Sequence, residues 1–132
     1  MIAVDASALV AIAVNEPEKA AYTEVLNRVD SAWITPINYV ETGLILKQRR
    51  YIENRLHLDE WLAIYDVAVD QGAALASTAL EAYLTFGKGR HPARLNLADC
   101  FAYALAKELD VPLLYKGDDF AKTDIRSALQ PT

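Results

Sequence analysis

The sequence predicts an α/β fold, a central parallel sheet of about four to five strands flanked by helices, and three observations carry that expectation. Short apolar runs at residues 1–4, 32–35 and 111–115 have the length and composition of buried parallel strands. Stretches with helical character separate them, and alternation of this kind yields parallel pairing with helices on both faces. Hydrophobic residues form 53% of the 132 residues and charged residues 23%, enough apolar material for a single domain spanning 1–132 to bury a core.

The elements follow in order. Met1-Ile2-Ala3-Val4 reads as the first strand, with Asp5 at its carboxyl end. Ala6 to Val14 favours helix, and Asn15 or Glu16 can cap a second helix with Pro17 in its first position, running to about Val29. Ala32 to Thr35 is the second strand. Ile37 to about Arg50 follows as a helix, with apolar residues at 37, 40, 44 and 45 setting its expected inward face. His57 to Tyr65 reads as a short helix, Asp66 to Asp70 as a short third strand, and Ala73 to Phe86 as helix. Gly87-Lys88-Gly89-Arg90-His91-Pro92 must be a loop. Ala98, Phe101, Ala102, Leu105, Ala106 and Leu109 keep the spacing of one helix face, and Val111 to Tyr115 is the last strand.

Composition excludes several classes. No apolar run approaches the ~20 residues of a membrane span, and Asp5 interrupts the place of a secretory signal, so a cytosolic protein is expected. The lone Cys100 allows neither an internal disulfide nor a multi-cysteine zinc site and suits a buried small residue. A net charge of −5 argues at first against a nucleic-acid partner. Its distribution weakens that objection. Residues 82–98 contain no acid and carry Lys88, Arg90, Arg94 and His91, and Lys47, Arg49, Arg50 and Arg55 form a second basic cluster.

The acids point to the chemistry. Asp5 follows the first strand, and Asp118 and Asp119 follow the last, so one edge of the sheet collects carboxylates. Glu41 shares the expected stripe of its helix and points inward, unless it lies at the stripe's edge and reaches solvent. Asp99, three residues after Asn96, can serve the site or share in capping its helix. Asp118 and Asp119 can also shape a turn, with Asp119 capping the segment begun by Phe120. Were Asp5, Glu41, Asp99 and one of the last pair to converge within ~5 Å, each ionised pair would repel by roughly 3 kcal/mol at an effective dielectric of ~20. Protonation or a divalent cation would then be needed. An all-oxygen set favours Mg²⁺ or Mn²⁺ over zinc, with metal-assisted phosphoryl transfer as the expected chemistry. Setting these five acids aside leaves a neutral remainder that no longer conflicts with a polyanionic substrate.

The order of Met1-Ile2-Ala3-Val4-Asp5-Ala6-Ser7-Ala8, Glu41, Leu95-Asn96-Leu97-Ala98-Asp99-Cys100 and Leu113-Leu114-Tyr115-Lys116-Gly117-Asp118-Asp119-Phe120 resembles a PIN domain over nearly the whole chain. Within that family it is similar to the VapC ribonuclease toxins of bacterial toxin–antitoxin modules. The resemblance implies a PIN fold, a Mg²⁺-dependent endoribonuclease acting on structured cellular RNA, a VapB-type antitoxin partner and a homodimer. Carried over by position, it implies Asp5 and Asp99 as principal metal ligands and Glu41 as the third acid. Many relatives have an aspartate where this chain has Gly117, so the fourth acid is either displaced to Asp118 or absent, with Asp119 left as a structural cap. Ser7 and Asn96 either contact substrate or cap helices, and Lys88, Arg90 and Arg94 are candidate RNA contacts. His91 fits an exposed residue or phosphate contact better than a general base, because a Gly/Pro-rich loop offers no fixed geometry. Two other readings stay open: a non-catalytic metal- or RNA-binding module on the same scaffold, and a phosphoacceptor receiver domain with Lys116 as its lysine.

Overall fold

Four short parallel strands form the sheet: β1 (Ile2–Val4), β2 (Ala32–Ile34), β3 (Val67–Val69) and β4 (Leu113–Leu114), in the order β3-β2-β1-β4. The computed structural model describes residues 1–70 and 75–129. Among the described residues six α-helices surround the sheet: α1 (Ala6–Ala13), α2 (Lys19–Arg28), α3 (Pro36–Gln48), α4 (Arg55–Ile64), α5 (Leu75–Phe86) and α6 (Leu97–Leu109). Strand side chains alternate between two faces. Ile2, Val4, Ile34 and Leu114 pack into one core with α1, α2 and α4, while Ala3 and Leu113 pack into the other with α5 and α6. From β1 the chain moves outward to β2 and β3, then returns to place β4 on the other side of β1. The winding therefore reverses between β1 and β4, the place where sheets of this class open a crevice. Asp5 and residues 117–119 leave the sheet at that point.

Several boundaries differ from the sequence expectation, each for a local reason. Pro17 does not open α2: Asn15 adopts a left-handed backbone (φ 62°) that ends the preceding segment, Pro17 lies in a turn, and the helix starts at Lys19 without a side-chain cap. Thr35 belongs to no strand. Its hydroxyl accepts the Asn38 N–H at 3.0 Å and caps α3, with Pro36 at the first helical position. The third strand is present as β3, and of the helix expected from Ala73, residues 73 and 74 lie outside the described residues.

The expected stripe of α3 is corrected. Val40 and Leu44 are 54% and 59% exposed, whereas Asn38, Thr42 and Leu46 are buried. The inward face is partly polar, and its polar groups are paired: Thr42 Oγ1 donates to the Asn38 carbonyl at 2.7 Å. Burial of a satisfied hydroxyl or amide costs little, so hydropathy does not track burial here.

Candidate functional site

Asp5 is buried at the carboxyl end of β1, with 3% of its surface exposed. Its N–H donates to the Leu114 carbonyl at 2.9 Å, which ties it to the end of β4. One carboxylate oxygen, Oδ2, accepts the Ser7 N–H at 3.0 Å and caps α1. The other, Oδ1, accepts from Asn38 Nδ2 at 3.4 Å. Burial pushes the Asp5 pKa up to about 6 against the bonds from Ser7, with the charge of Glu41 adding to the rise.

Asp99 enters from α6 and takes the capping role that the sequence left open. Asn96 Oδ1 accepts the Asp99 N–H at 2.9 Å, and Asp99 Oδ2 accepts the Asn96 N–H at 3.0 Å, a reciprocal cap. Burial first, and then the charges of Asp5 and Asp119, push the Asp99 pKa up to about 6 against the Asn96 bond. Glu41 on α3 is half-buried and also raised, by desolvation first and then by Asp99. Asp5, Glu41, Asp99 and Asp119 are thus linked by mutual repulsion at one edge of the sheet. Asp119, expected as a cap, makes no side-chain capping bond at the 3₁₀ turn Phe120–Lys122, and its charge reaches Asp99. Asp118, the fourth acid expected from the sequence, is exposed and is not among the charges acting on Asp99.

Among the described residues no group of three or more His, Cys, Asp or Glu side chains is placed to hold a metal ion as it stands. A divalent ion still fits the donor chemistry. The acids that repel one another are all oxygen donors, and Mg²⁺ is commonly held by one or two carboxylates, its remaining positions filled by water and substrate phosphate. Cys100 is not part of the set, because it is 1% exposed and desolvation, followed by Asp99, pushes its thiol up to about 11.

Around the acids, Ser7 does not cap its helix, since Asp5 does. Its Oγ accepts the Lys116 N–H at 3.0 Å, and its side chain also bonds to the Asp5 carboxylate, which holds that carboxyl down against the effect of burial. Lys116 itself is paired with Glu16 and Glu18. The basic loop is more ordered than its composition suggests. Lys88 N–H donates to the Leu95 carbonyl, Leu95 N–H to the Phe86 carbonyl, and both Arg90 and His91 N–H groups to the Gly87 carbonyl. His91 has a fixed position: its Nδ1 accepts the Ala93 N–H at 3.0 Å, and its ring meets Phe86 edge-on. A Cβ at Gly87 would lie 2.3 Å from the Tyr83 carbonyl, so glycine is required where the loop begins. Lys88, Arg90 and Arg94 are exposed, and Arg90 lies over the Tyr83 ring. The second basic cluster is partly engaged: Arg55 pairs with Asp59, and Lys47 donates to the Glu53 carbonyl. Sequence reasoning missed Asn38 and Thr35. The available signal was spacing, since Asn38 lies three residues before Glu41 and therefore on the same helix face.

Comparison with known proteins identifies the family. The PIN domain model matches residues 2–126. The chain belongs to the PIN domain family. Among curated members, Ribonuclease VapC30 of Mycobacterium tuberculosis is 40% identical over 131 residues, covering 97% of this chain and 98% of the relative. Ribonuclease VapC42 of the same organism is 42% identical over 127 residues, covering 95% and 97%. In fold, the chain is similar to the crystal structure of M. tuberculosis VapC20, described as a Sarcin-Ricin loop cleaving toxin, with a TM-score of 0.73 at 17% identity over 95% of this chain and 96% of that one. Nearly full-length membership in the PIN family displaces the receiver-domain reading. No helix among the described residues is long and apolar enough to cross a membrane.

Proposed function

We propose that this PIN domain, residues 1–132, is an endoribonuclease, the toxin of a VapBC-type toxin–antitoxin pair, that works with Mg²⁺ or Mn²⁺. The observation that carries the reading is the pair Asp5 and Asp99: two acids from distant parts of the chain, each pushed up to about 6 and each raised by other acids of the same edge. Asp5 and Asp99 would hold the ion, with Glu41 as the third acid. Asp119 is favoured as the fourth by its charge on Asp99, and Asp118, one residue earlier, is the other candidate. When bound there, the ion lowers the pKa of a water and neutralises charge developing on the phosphate.

The remaining groups position the substrate. Ser7, bonded to Asp5 and to the Lys116 N–H, stands beside the acids as a candidate substrate contact, while Asn96 acts by holding Asp99 in place. Lys88, Arg90 and Arg94, exposed on an ordered loop that leads directly into α6, would neutralise flanking RNA phosphates. A VapB-type antitoxin partner, assembly as a homodimer and residence in the cytoplasm complete the proposal.

The test is RNA cleavage with added Mg²⁺ or Mn²⁺, its loss with chelator, and its loss in Asp5→Asn. Chelator-resistant cleavage would overturn the metal reading. For the loop, replacement of Lys88, Arg90 and Arg94 by alanine in the Asp5→Asn background should flatten the salt dependence of RNA affinity by roughly 0.7 log–log units per lost single-strand contact. An unchanged slope removes the loop from the RNA surface.

A further inference from the structure

We propose that Asn38 is a positioning residue of the nuclease site: its buried side-chain amide fixes the Asp5 carboxylate relative to the first turn of α6, and Thr35 sets which way that amide faces. The inference rests on Asp5 and Asp99 being the pair that holds the ion.

Asn38 is fully buried. Its Nδ2 donates to Asp5 Oδ1 at 3.4 Å and to the Ala98 carbonyl at 3.3 Å, and its side chain also bonds to the Glu41 carboxylate, which lowers that group against its desolvation. Ala98 immediately precedes Asp99. One side chain on α3 thereby touches the strand end that carries Asp5 and the helix turn that carries Asp99, three residues from Glu41 on its own helix. The orientation of the amide is determined. Thr35 Oγ1, also fully buried, donates to Asn38 Oδ1 at 2.6 Å while accepting the Asn38 N–H at 3.0 Å. Reversing the amide would set its oxygen against the Asp5 carboxylate and the Ala98 carbonyl, acceptor against acceptor. A residue that merely filled space would need none of these contacts. Partners that orient a metal-holding carboxylate commonly govern affinity by ten- to a hundredfold when removed, although they never touch the ion.

The experiment measures Mn²⁺ affinity by calorimetry on metal-stripped protein, together with cleavage at limiting and excess Mn²⁺. Asn38→Leu is expected to bind Mn²⁺ about tenfold more weakly or worse, with cleavage impaired at limiting metal and restored toward wild type at excess. Thr35→Val, which keeps shape and loses the hydroxyl, is expected to weaken Mn²⁺ in the same direction by a smaller factor, and Thr35→Ser to return to the wild-type value. A folded Asn38→Leu protein with wild-type Mn²⁺ affinity overturns the proposal. If Asn38→Leu does not fold, the threonine pair decides, because equal affinities in Thr35→Val and Thr35→Ser overturn it equally. Wild-type protein that binds no Mn²⁺ fails at the earlier step, and that outcome overturns the metal reading itself.

Discussion

Helices α3 and α6 each deliver an acid to the same edge of the sheet, by opposite means. In α6 the acid stands in the first turn, where the cap from Asn96 and the helix dipole favour its charge, and the helix below it buries Ala102, Leu105 and Ala106. In α3 the acid stands one turn further in, away from the cap. Its neighbours on the inward side are Asn38 and Thr42, and the apolar Val40 and Leu44 face out. A charged residue at a helix start can be reconciled with an apolar core below it. One placed inside a helix needs polar company on its own face, and that company displaces the hydrophobic pattern.

The largest effect expected from this contrast is catalytic. Asp99→Asn should reduce RNA cleavage at least about a hundredfold, while raising the melting temperature of the metal-free protein. The cap survives, because the asparagine oxygen can still accept the Asn96 N–H, and one charge is withdrawn from the repelling group. Unchanged cleavage with an unchanged melting temperature would remove Asp99 from the site and reduce α6 to a structural helix.

Core truncation on the two helices comes next. Leu105 and Leu46 are each 1% exposed, so Leu105→Ala and Leu46→Ala should each cost about 2–5 kcal/mol in denaturant unfolding. A negligible loss at Leu46 would mean that α3 is anchored by its polar face alone.

The pH dependence of stability sharpens the picture for Asp5. Its pKa rises from 3.8 unfolded to about 6 folded, so the folded state holds the proton more tightly. Between pH ~4 and ~6 the native protein therefore binds more protons than the unfolded chain, and metal-free stability falls as pH rises, by about 3 kcal/mol for this group once ionised. Above pH ~6 the full cost is present, and added Mg²⁺ should offset it. Denaturant midpoints at pH 4.5 and 7, with and without Mg²⁺, check this. A metal-free protein equally stable at both would contradict the buried acid.

The smallest effect is a control on the outward face of α3. Leu44→Ser should alter stability by no more than about 0.5 kcal/mol, as exposed positions do. A cost approaching that of Leu46→Ala would restore the stripe expected from hydropathy.

These contrasts explain which features are legible in the residues alone. Strand positions, the regular face of α6 and the clustering of acids at one sheet edge follow from local patterns that burial enforces, and such patterns are written into consecutive stretches of chain. The inward face of α3 is not legible in that way, because Asn38 is buried through bonds whose partners, Asp5 and Ala98, lie far away in sequence. The same holds for the last acid: Asp118 and Asp119 are adjacent, and only the turn after β4 brings the charge of Asp119 to bear on Asp99. The basic loop is identified by its charge, while its order comes from backbone bonds that composition does not reveal.

The position of β1 has a consequence for biosynthesis. The strand stands between β2 and β4, and the contact that joins Ser7 to Lys116 bridges 109 residues. A chain emerging from the ribosome amino end first presents Asp5 long before Asp99, β4 and Asp119 have been made. Chains halted at residue 110 should accordingly leave RNA intact in a cell-free translation reaction, a result that cutting by such fragments would overturn. Under the proposed assignment of the acids, a chain in which β1 and β4 have not yet met holds no assembled site.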